Sequence, residues 1–276
     1  MSGPSIDPDA FRDFERAAHS RNAATYHDLF TVVTDRAIEP LLDAAKVGPG
    51  TRLLDVAAGP GRMTQAGTER GARAIGVDLA PAMVAIARRL YPKIEFREAS
   101  ADALPFSDAS FDAAVCAFGL GHFPDSERVI AEFRRVLAPR GTVALSWWEG
   151  FSRNRINGLF HEAIGRLAAS VPGAVPPGPP MDRFSDRTRF AEFLCSAGFE
   201  NVQVTGASFT HTLRNADELW DLAMGSFARA AATIGAQTEV VRQQIRAAVT
   251  QGAQQYATSN GLEIPVAFLI GAGERP

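Results

Sequence analysis

The residues of this chain best spaced to do chemistry are two acids set around a turn of small residues. Leu53-Leu54-Asp55-Val56-Ala57-Ala58-Gly59-Pro60-Gly61 reads as an apolar strand feeding a helix. Gly59 and Gly61 let the backbone of that turn approach a ligand closely at the carboxyl edge of a sheet. The next apolar run, Ile75-Gly76-Val77-Asp78, closes on an acid nineteen residues past Gly59. A carboxylate at that strand tip is placed to accept both hydroxyls of a ribose. Two nucleoside ligands compete for such a site. A dinucleotide wants Gly-x-Gly-x-x-Gly/Ala with free N–H groups for its pyrophosphate, whereas here Thr64 holds the third small position and Pro60 has no N–H. S-adenosylmethionine (SAM) has a ribose but no phosphate and needs none of those donors.

Elements with the right order surround this pair of acids. Thr51–Ala57, Ala72–Asp78, Ile94–Arg97, Phe111–Phe118 and Gly141–Trp148 are apolar almost throughout, as strands covered on both faces are. Between them the patterns Arg62–Arg70, Pro81–Tyr91 and Ser126–Leu137 are helical, with Pro81 at a first helical position. Alternation of this kind predicts an α/β fold with a parallel, doubly wound, Rossmann-like sheet. Upstream, Phe11–Ala44 reads as helices. Downstream come a helix over Arg155–Ala169, a Pro/Gly-rich loop over Val171–Pro180, and a helix over Arg187–Ala197 capped by Asp186 and ended by Gly198. Asn201–Leu213 reads as a strand broken near Gly206. Ala216–Thr258 reads as helices with breaks near Gly235 and Gly252, and Leu262–Ile270 as the final strand. The expected division is residues 1–50 as N-terminal helices over the ligand, 51–150 as the binding core, and 151–185 as a lid segment. Residues 186–213 and 261–276 complete the core, and 214–260 form an inserted helical lid.

Composition narrows the function classes. The 276 residues carry a net charge of −3 and only two cysteines, Cys116 and Cys195. That excludes a disulfide framework and a Cys-rich metal site, and it provides no broad basic field for nucleic acid. No uncharged apolar run approaches the roughly 18–20 residues of a membrane span. The stretch Met1–Asp9 has neither the basic nor the apolar region of a secretion signal, so a cytoplasmic location is expected. Eighteen Phe against three Tyr and three Trp suits a greasy core and pocket.

From Thr51 to Trp148 the chain resembles the class I SAM-dependent methyltransferases, especially the ubiquinone and small-metabolite branch. Besides the turn and Asp78, the resemblance rests on Ala99-Ser100-Ala101-Asp102-Ala103-Leu104-Pro105-Phe106, on Ser107–Asp112, and on Ala138-Pro139-Arg140-Gly141 after Phe111–Leu137. It implies a seven-stranded sheet, mostly parallel with the last strand antiparallel. It also implies that Gly59 and Gly61 line the methionine and sulfonium end, with Ala57, Ala117 and Asp55 beside them. Asp78 binds the ribose, Leu79 and Met83 flank the adenine, and the Ala101 N–H meets it. The family's adenine-binding Asp falls here on Ser100, so Ser100 and the adjacent Asp102 share that expectation. Competing readings are helix-facing core for Leu79 and Met83, a solvated turn residue for Asp102 and a turn cap for Asp55.

The sulfonium is already an activated methyl donor, so the protein has to align a nucleophile, exclude water and, where required, remove a proton. His122, in Phe118-Gly119-Leu120-Gly121-His122-Phe123-Pro124-Asp125, is the best-placed base candidate. His161, Tyr26 and His211 are further candidates, Tyr26 as a cover over the methionine end. With five scattered histidines no metal site is expected. Phe151, Phe160, Phe184, Trp220, Met224 and Phe227 are candidate walls of an apolar acceptor pocket. The resulting expectation is methyl transfer from SAM to an oxygen or carbon of a small, largely apolar metabolite, giving S-adenosylhomocysteine (SAH), in biosynthesis or tailoring, with homo-oligomerisation left open. The alternatives are an NAD(P)-dependent oxidoreductase and a SAM-binding protein that transfers no methyl.

Overall fold

A computed structural model describes residues 6–169, 171 and 173–276. Met1–Ser5, part of the stretch read for a secretion signal, and Pro172 of the Pro/Gly-rich loop lie outside them. In chain order the helices are α1 (Pro8–Thr25), a π turn (Tyr26–Phe30), α2 (Thr31–Thr34), a 3₁₀ turn (Asp35–Ala37) and α3 (Ile38–Ala44). The core continues β1 (Arg52–Val56), α4 (Arg62–Glu69), β2 (Arg73–Asp78), α5 (Pro81–Leu90), β3 (Glu95–Glu98), β4 (Phe111–Ala117), α6 (Ser126–Val136) and β5 (Leu137–Trp148). Then follow α7 (Arg155–Leu167), α8 (Arg187–Ser196), β6 (Glu200–Leu213), α9 (Ala216–Ser226), α10 (Ala228–Gly235), α11 (Glu239–Ala253), β7 (Ala257–Thr258) and β8 (Gly261–Glu274).

The sheet runs β3-β2-β1-β4-β5-β8-β6, parallel except for β8, which is antiparallel to both β5 and β6. This is the expected α/β Rossmann-like architecture with its last strand reversed. The short β7 adds an eighth strand, a hairpin partner of β8 in a stretch read as helix. Strand order reverses between β1 and β4, and open α/β sheets bind ligands outside the carboxyl ends of the strands at such a point. Both strand tips there leave ordinary backbone space: Ala57 has φ 58° and Phe118 φ 57°. Non-glycine residues in the left-handed region cost energy and cluster at ligand sites.

Two local expectations are corrected. β6 is unbroken at Gly206, which pairs with Leu269. A Cβ there would meet the Arg187 guanidinium at 2.2 Å, the far end of a flexible side chain that can swing aside, and the irregularity falls instead between Glu200 and Gln203. The expected break near Gly252 is present: α11 ends at Ala253 and a 3₁₀ turn over Gln254–Tyr256 follows, with Gly252 itself admitting the Leu159 side chain of α7. The break near Gly235 is also present, and one more, not expected, falls at Phe227, which has φ −92° and ψ 85°.

Apolar patterning and caps position α1 over the carboxyl edge of the sheet. Asp7 accepts the N–H groups of Asp9 and Ala10, each at 3.1 Å, satisfying donors that an α-helix start leaves free. Phe11, Glu15 and Ala18 are its buried stripe. The π turn that follows inserts one residue into the helical repeat, and Tyr26 and Phe30 at its two ends both face the site described next.

Candidate active site at the strand reversal

A cavity of about 330 Å³ opens above the tips of β1, β2 and β4, roofed by α1, the π turn, α7 and the α9–α10 junction. Its first half is built by the β1–α4 turn. Gly59 and Gly61 take φ 54° and 88°. A Cβ at Gly61 would lie 2.7 Å from the Phe96 ring, so that glycine lets the turn close against β3. The turn spends its own donors: the N–H of Ala58 goes to the Val77 carbonyl, that of Gly59 to Asp78 Oδ2 at 2.8 Å, and that of Gly61 to the Ala58 carbonyl. Pro60 has none to offer. Asp78 Oδ1 takes the Ala80 N–H at 2.8 Å, so both carboxylate oxygens are held in place, each with a lone pair to spare. Burial raises the Asp78 carboxyl, partly offset by these two N–H groups.

Of the expected cofactor and base residues, Ala57, Gly59, Asp78, Leu79, Met83, Ser100, Ala101, Asp102, Ala117, Tyr26, His122 and His161 line this one cavity, while Asp55, Gly61 and His211 do not. Asp55 does not reach the cavity. It is buried below the turn with Thr64 Oγ1 donating to Oδ2 at 2.6 Å, so it fastens α4 to β1. Burial, with Asp78 nearby, pushes its carboxyl up to about 7. Gly61 likewise shapes the turn without facing the ligand space. The Ser100 hydroxyl donates to Asp102 Oδ1 at 2.6 Å, and Arg12 of α1 donates to Asp102 Oδ2 at 2.7 Å. Burial would raise Asp102, but these two partners outweigh it and hold the carboxylate below its ordinary range.

The second half of the cavity is aromatic. Phe118 stacks on Trp148 at 3.8 Å, and Phe30 packs against Trp148 and Phe227 at 5.9 and 5.4 Å. Phe151 stacks on His161 at 4.0 Å. Of the expected walls, Phe151, Phe160 and Phe227 line the cavity. Phe184 does not, being buried against Phe190 and Phe193 of α8. Trp220 backs Phe160 from behind, and Met224 packs on the core without reaching the cavity. His211, on the edge strand β6, is also outside. Burial, with the charges of Asp78 and Asp35, raises the Tyr26 phenol to about 12. Tyr26 is therefore a hydrogen-bond donor at neutral pH and not a base.

The histidines are less scattered than expected. Glu15 and His19, one turn apart on α1, meet His122, and their ligand-type atoms all lie within 4.8 Å of one another. Glu15 Oε2 is 3.0 Å from His122 Nδ1 and 3.2 Å from His19 Nε2, and Oε1 is 3.3 Å from Arg229 Nε. The spacing of Glu15 and His19 was legible as a shared helix face. Nothing in the sequence joins that face to His122 or Arg229, more than 100 positions away.

Known proteins resemble this chain in sequence and in fold. Residues 54–145 match a family model described as a methyltransferase domain. An uncharacterized protein of Mycobacterium tuberculosis is 35% identical over 182 residues, covering 62% of this chain and 64% of that protein's length. A demethylmenaquinone methyltransferase of Renibacterium salmoninarum is 29% identical over 215 residues, covering 73% of this chain and 90% of its own. Among solved structures, the Burkholderia thailandensis 1,6-didemethyltoxoflavin-N1-methyltransferase with bound SAH superimposes with a TM-score of 0.55 at 18% identity, covering 100% of this chain and 93% of that one.

Proposed function

We propose that this chain is a class I methyltransferase, a reading supported by the methyltransferase-domain match at residues 54–145, and that it transfers the methyl group of SAM to an oxygen or carbon atom of a small, largely apolar metabolite. The observation that carries the reading is the use of donors in the β1–α4 turn. With the N–H groups of Ala58, Gly59 and Gly61 spent and none at Pro60, that turn has little to give a pyrophosphate. Asp78 instead presents a fixed carboxylate to the cavity, a match for a ribose diol without phosphates. The same donor accounting weighs against the NAD(P)-dependent oxidoreductase.

Asp78 would hold the ribose, and Leu79 and Met83 the adenine faces. Asp102 is the better acceptor for the adenine amine, because its carboxylate is charged and only accepts, whereas Ser100 is a neutral hydroxyl that donates to it. Ala57, Gly59 and Ala117 border the methionine end. When bound, SAM supplies a methyl carbon already activated by its sulfonium. The protein's own part is to hold the acceptor between Phe30, Phe118, Trp148 and Phe227, to exclude water, and to accept a proton at His122. An apolar ring compound of the kind named for the Renibacterium relative would suit such walls. Segments 151–185 and 214–260 serve in this reading as the lid that selects the acceptor, too enclosed for a polymer such as nucleic acid.

The test is ligand-dependent melting followed by turnover. SAM and SAH should raise the melting temperature and NADH should not. Incubation with methyl-labelled SAM and a metabolite extract should move label into an apolar product. Stabilisation by NADH alone would overturn the reading, and SAM binding with no labelled product would favour a SAM-binding protein that transfers no methyl.

A further inference from the structure

Four side chains from three separate parts of the chain converge at the junction of the two cavity halves. Glu15, its side chain 2% exposed, comes from α1 with His19 one turn on. His122 comes from the β4–α6 loop and Arg229 from α10. Arg229 donates Nε to Glu15, Nη1 to the Pro179 carbonyl at 2.8 Å and Nη2 to the carbonyl of Gly121, the residue before His122. Its guanidinium lies over the Phe11 ring of α1, 4.6 Å from the centroid. One arginine of the inserted helices thus ties together α1, the loop that carries His122 and the segment before α8.

We propose that Glu15 is the positioning residue of a proton-accepting assembly in which His122 takes the proton of a phenol- or enol-type acceptor, and that the assembly is complete only while α1 and the inserted helices are both docked. This rests on the methyltransferase reading and deepens it by naming the acceptor class. A carboxylate only accepts hydrogen bonds, so its 3.0 Å contact places the proton of neutral His122 on Nδ1. That leaves the Nε2 lone pair as the base, and Nε2 has no hydrogen-bond partner among the described residues. On acceptance of a proton, the imidazolium is stabilised by Glu15. The acceptor O–H bond breaks as the proton moves to Nε2. An electron pair of the resulting oxyanion, at oxygen or at the ring carbon conjugated to it, forms the bond to the methyl carbon as the carbon–sulfur bond breaks. The sulfur keeps that bonding pair as a neutral thioether. For attack at carbon, the proton displaced there leaves to solvent, as does the proton on His122.

The charges that face His122 are Glu15 and His19 from α1 and Arg229 from α10, with Asp78 of β2 near enough to feel it. Burial lowers the His122 pKa, and Glu15 partly restores it. Burial would raise Glu15, but the two imidazoles reverse this and keep it ionised. Glu15, His19 and His122 are also a ligand set a divalent cation takes. Arg229 decides between the two, because its guanidinium already balances the one carboxylate and a divalent ion would leave a buried positive excess.

The experiment is imidazole ¹⁵N NMR on the SAH-saturated protein, wild type and Glu15→Gln, over pH. In wild type, His122 should be neutral at pH 7 with its proton on Nδ1. In Glu15→Gln, the tautomers should mix and the His122 midpoint should fall by about 1–3 units, the effect of removing a neighbouring opposite charge. With a panel of simple phenols as acceptors, Glu15→Gln should lower kcat about 10²-fold or more with KM for SAM unchanged, and should add nothing in a His122→Asn background. A wild-type His122 protonated on Nε2, a tautomer indifferent to Glu15→Gln, or uptake of one equivalent of Zn²⁺ on His19 and His122 would each overturn the proposal. The wild-type spectrum decides even where Glu15→Gln fails to fold. Failure to bind SAH would sink the methyltransferase reading instead, leaving the tautomer measurable without ligand.

Discussion

Replacing Asp78 by Ala removes the group on which the cofactor assignment turns, and the loss can be sized from its contacts. Each oxygen of this carboxylate is fixed by a backbone N–H at 2.8 Å and keeps a lone pair for one ribose hydroxyl. A hydrogen bond to a charged group is worth about 1.5–3 kcal/mol, so losing two costs about 3–6 kcal/mol of binding. That is about 10²–10⁴-fold in Kd. The fold should survive, because the orphaned N–H groups of Gly59 and Ala80 lie beside the cavity, where water reaches them. Two lost internal bonds at about 1 kcal/mol each predict a fall in Tm of about 4–8 °C. Calorimetric titration with SAH, beside a thermal melt, separates the two effects. The raised Asp78 carboxyl adds a pH signature: the ionised form binds the diol, so SAH affinity should begin to fall on acidification above the ordinary aspartate range. A folded Asp78→Ala protein that binds SAH as wild type does would refute the assignment of this carboxylate to the ribose.

Three further outcomes follow from the same geometry. Asp55 in the folded protein sits at about 7 against an ordinary 3.8, so the folded state holds the extra proton and stability is lost as pH rises through that window. Asp55→Asn keeps an acceptor for Thr64 and should be more stable than wild type at pH 8, by at most about 4 kcal/mol, with a flatter profile between pH 5 and 8 by denaturant titration. Gly121→Ala places a Cβ 2.3 Å from the Trp147 ring, and overpacking of this kind should cost about 1–3 kcal/mol with a change in tryptophan emission; an unchanged midpoint would mean that the loop carrying His122 is free to shift. Arg12→Ala cuts the tie between α1 and Asp102, a part-buried pair worth about 1 kcal/mol, so hydrogen exchange in α1 should quicken while SAH affinity falls less than tenfold.

The halves of the cavity differed in how far the residues alone announced them. Gly59, Asp78 and the stretch from Ala99 to Phe106 lie at strand ends, and a strand end in an alternating α/β chain has one place to be: the carboxyl edge. Ala57, Gly59, Asp78, Leu79, Ser100, Ala101, Asp102, Ala117 and His122 converge there for that reason. Asp55 and Gly61 belong to the same motif but point elsewhere, because motif spacing marks which turn holds the ligand and not which side chains face it. Asp55 spends its carboxylate on Thr64, and Gly61 its missing Cβ on Phe96. Phe184 and Phe160 look alike in sequence, each an aromatic in a lid segment. Only tertiary packing sends one to α8 and the other to the cavity. Glu15 and Arg229 were silent, since an acid on an exposed-looking helix and an arginine in an alanine-rich one are ordinary surface residues until the two elements meet.

That meeting also explains why a buried carboxylate persists on α1 at all. An ionised group with 2% exposure costs several kcal/mol unless it is paired, and Glu15 finds its partners only on other segments, apart from His19. With α1 or α10 displaced, the remaining members would be left with an uncompensated charge, so the cluster penalises any arrangement in which one roof element is docked without the other. The strained tips of β1 and β4, Ala57 and Phe118, act from below in the same sense, since their left-handed backbone holds only while packing from both sides determines it. Phe118 is stacked on Trp148, which touches Phe30 of the π turn, which in turn touches Phe227 at the α9–α10 junction. Closure over the acceptor is thus coupled twice, once through charge at Glu15 and once through aromatic packing at Phe30. Truncating Phe30 should therefore loosen α10 as measured by hydrogen exchange even though the Glu15–Arg229 contact is untouched, and protection confined to its wild-type pattern would show that the charge cluster holds the roof alone.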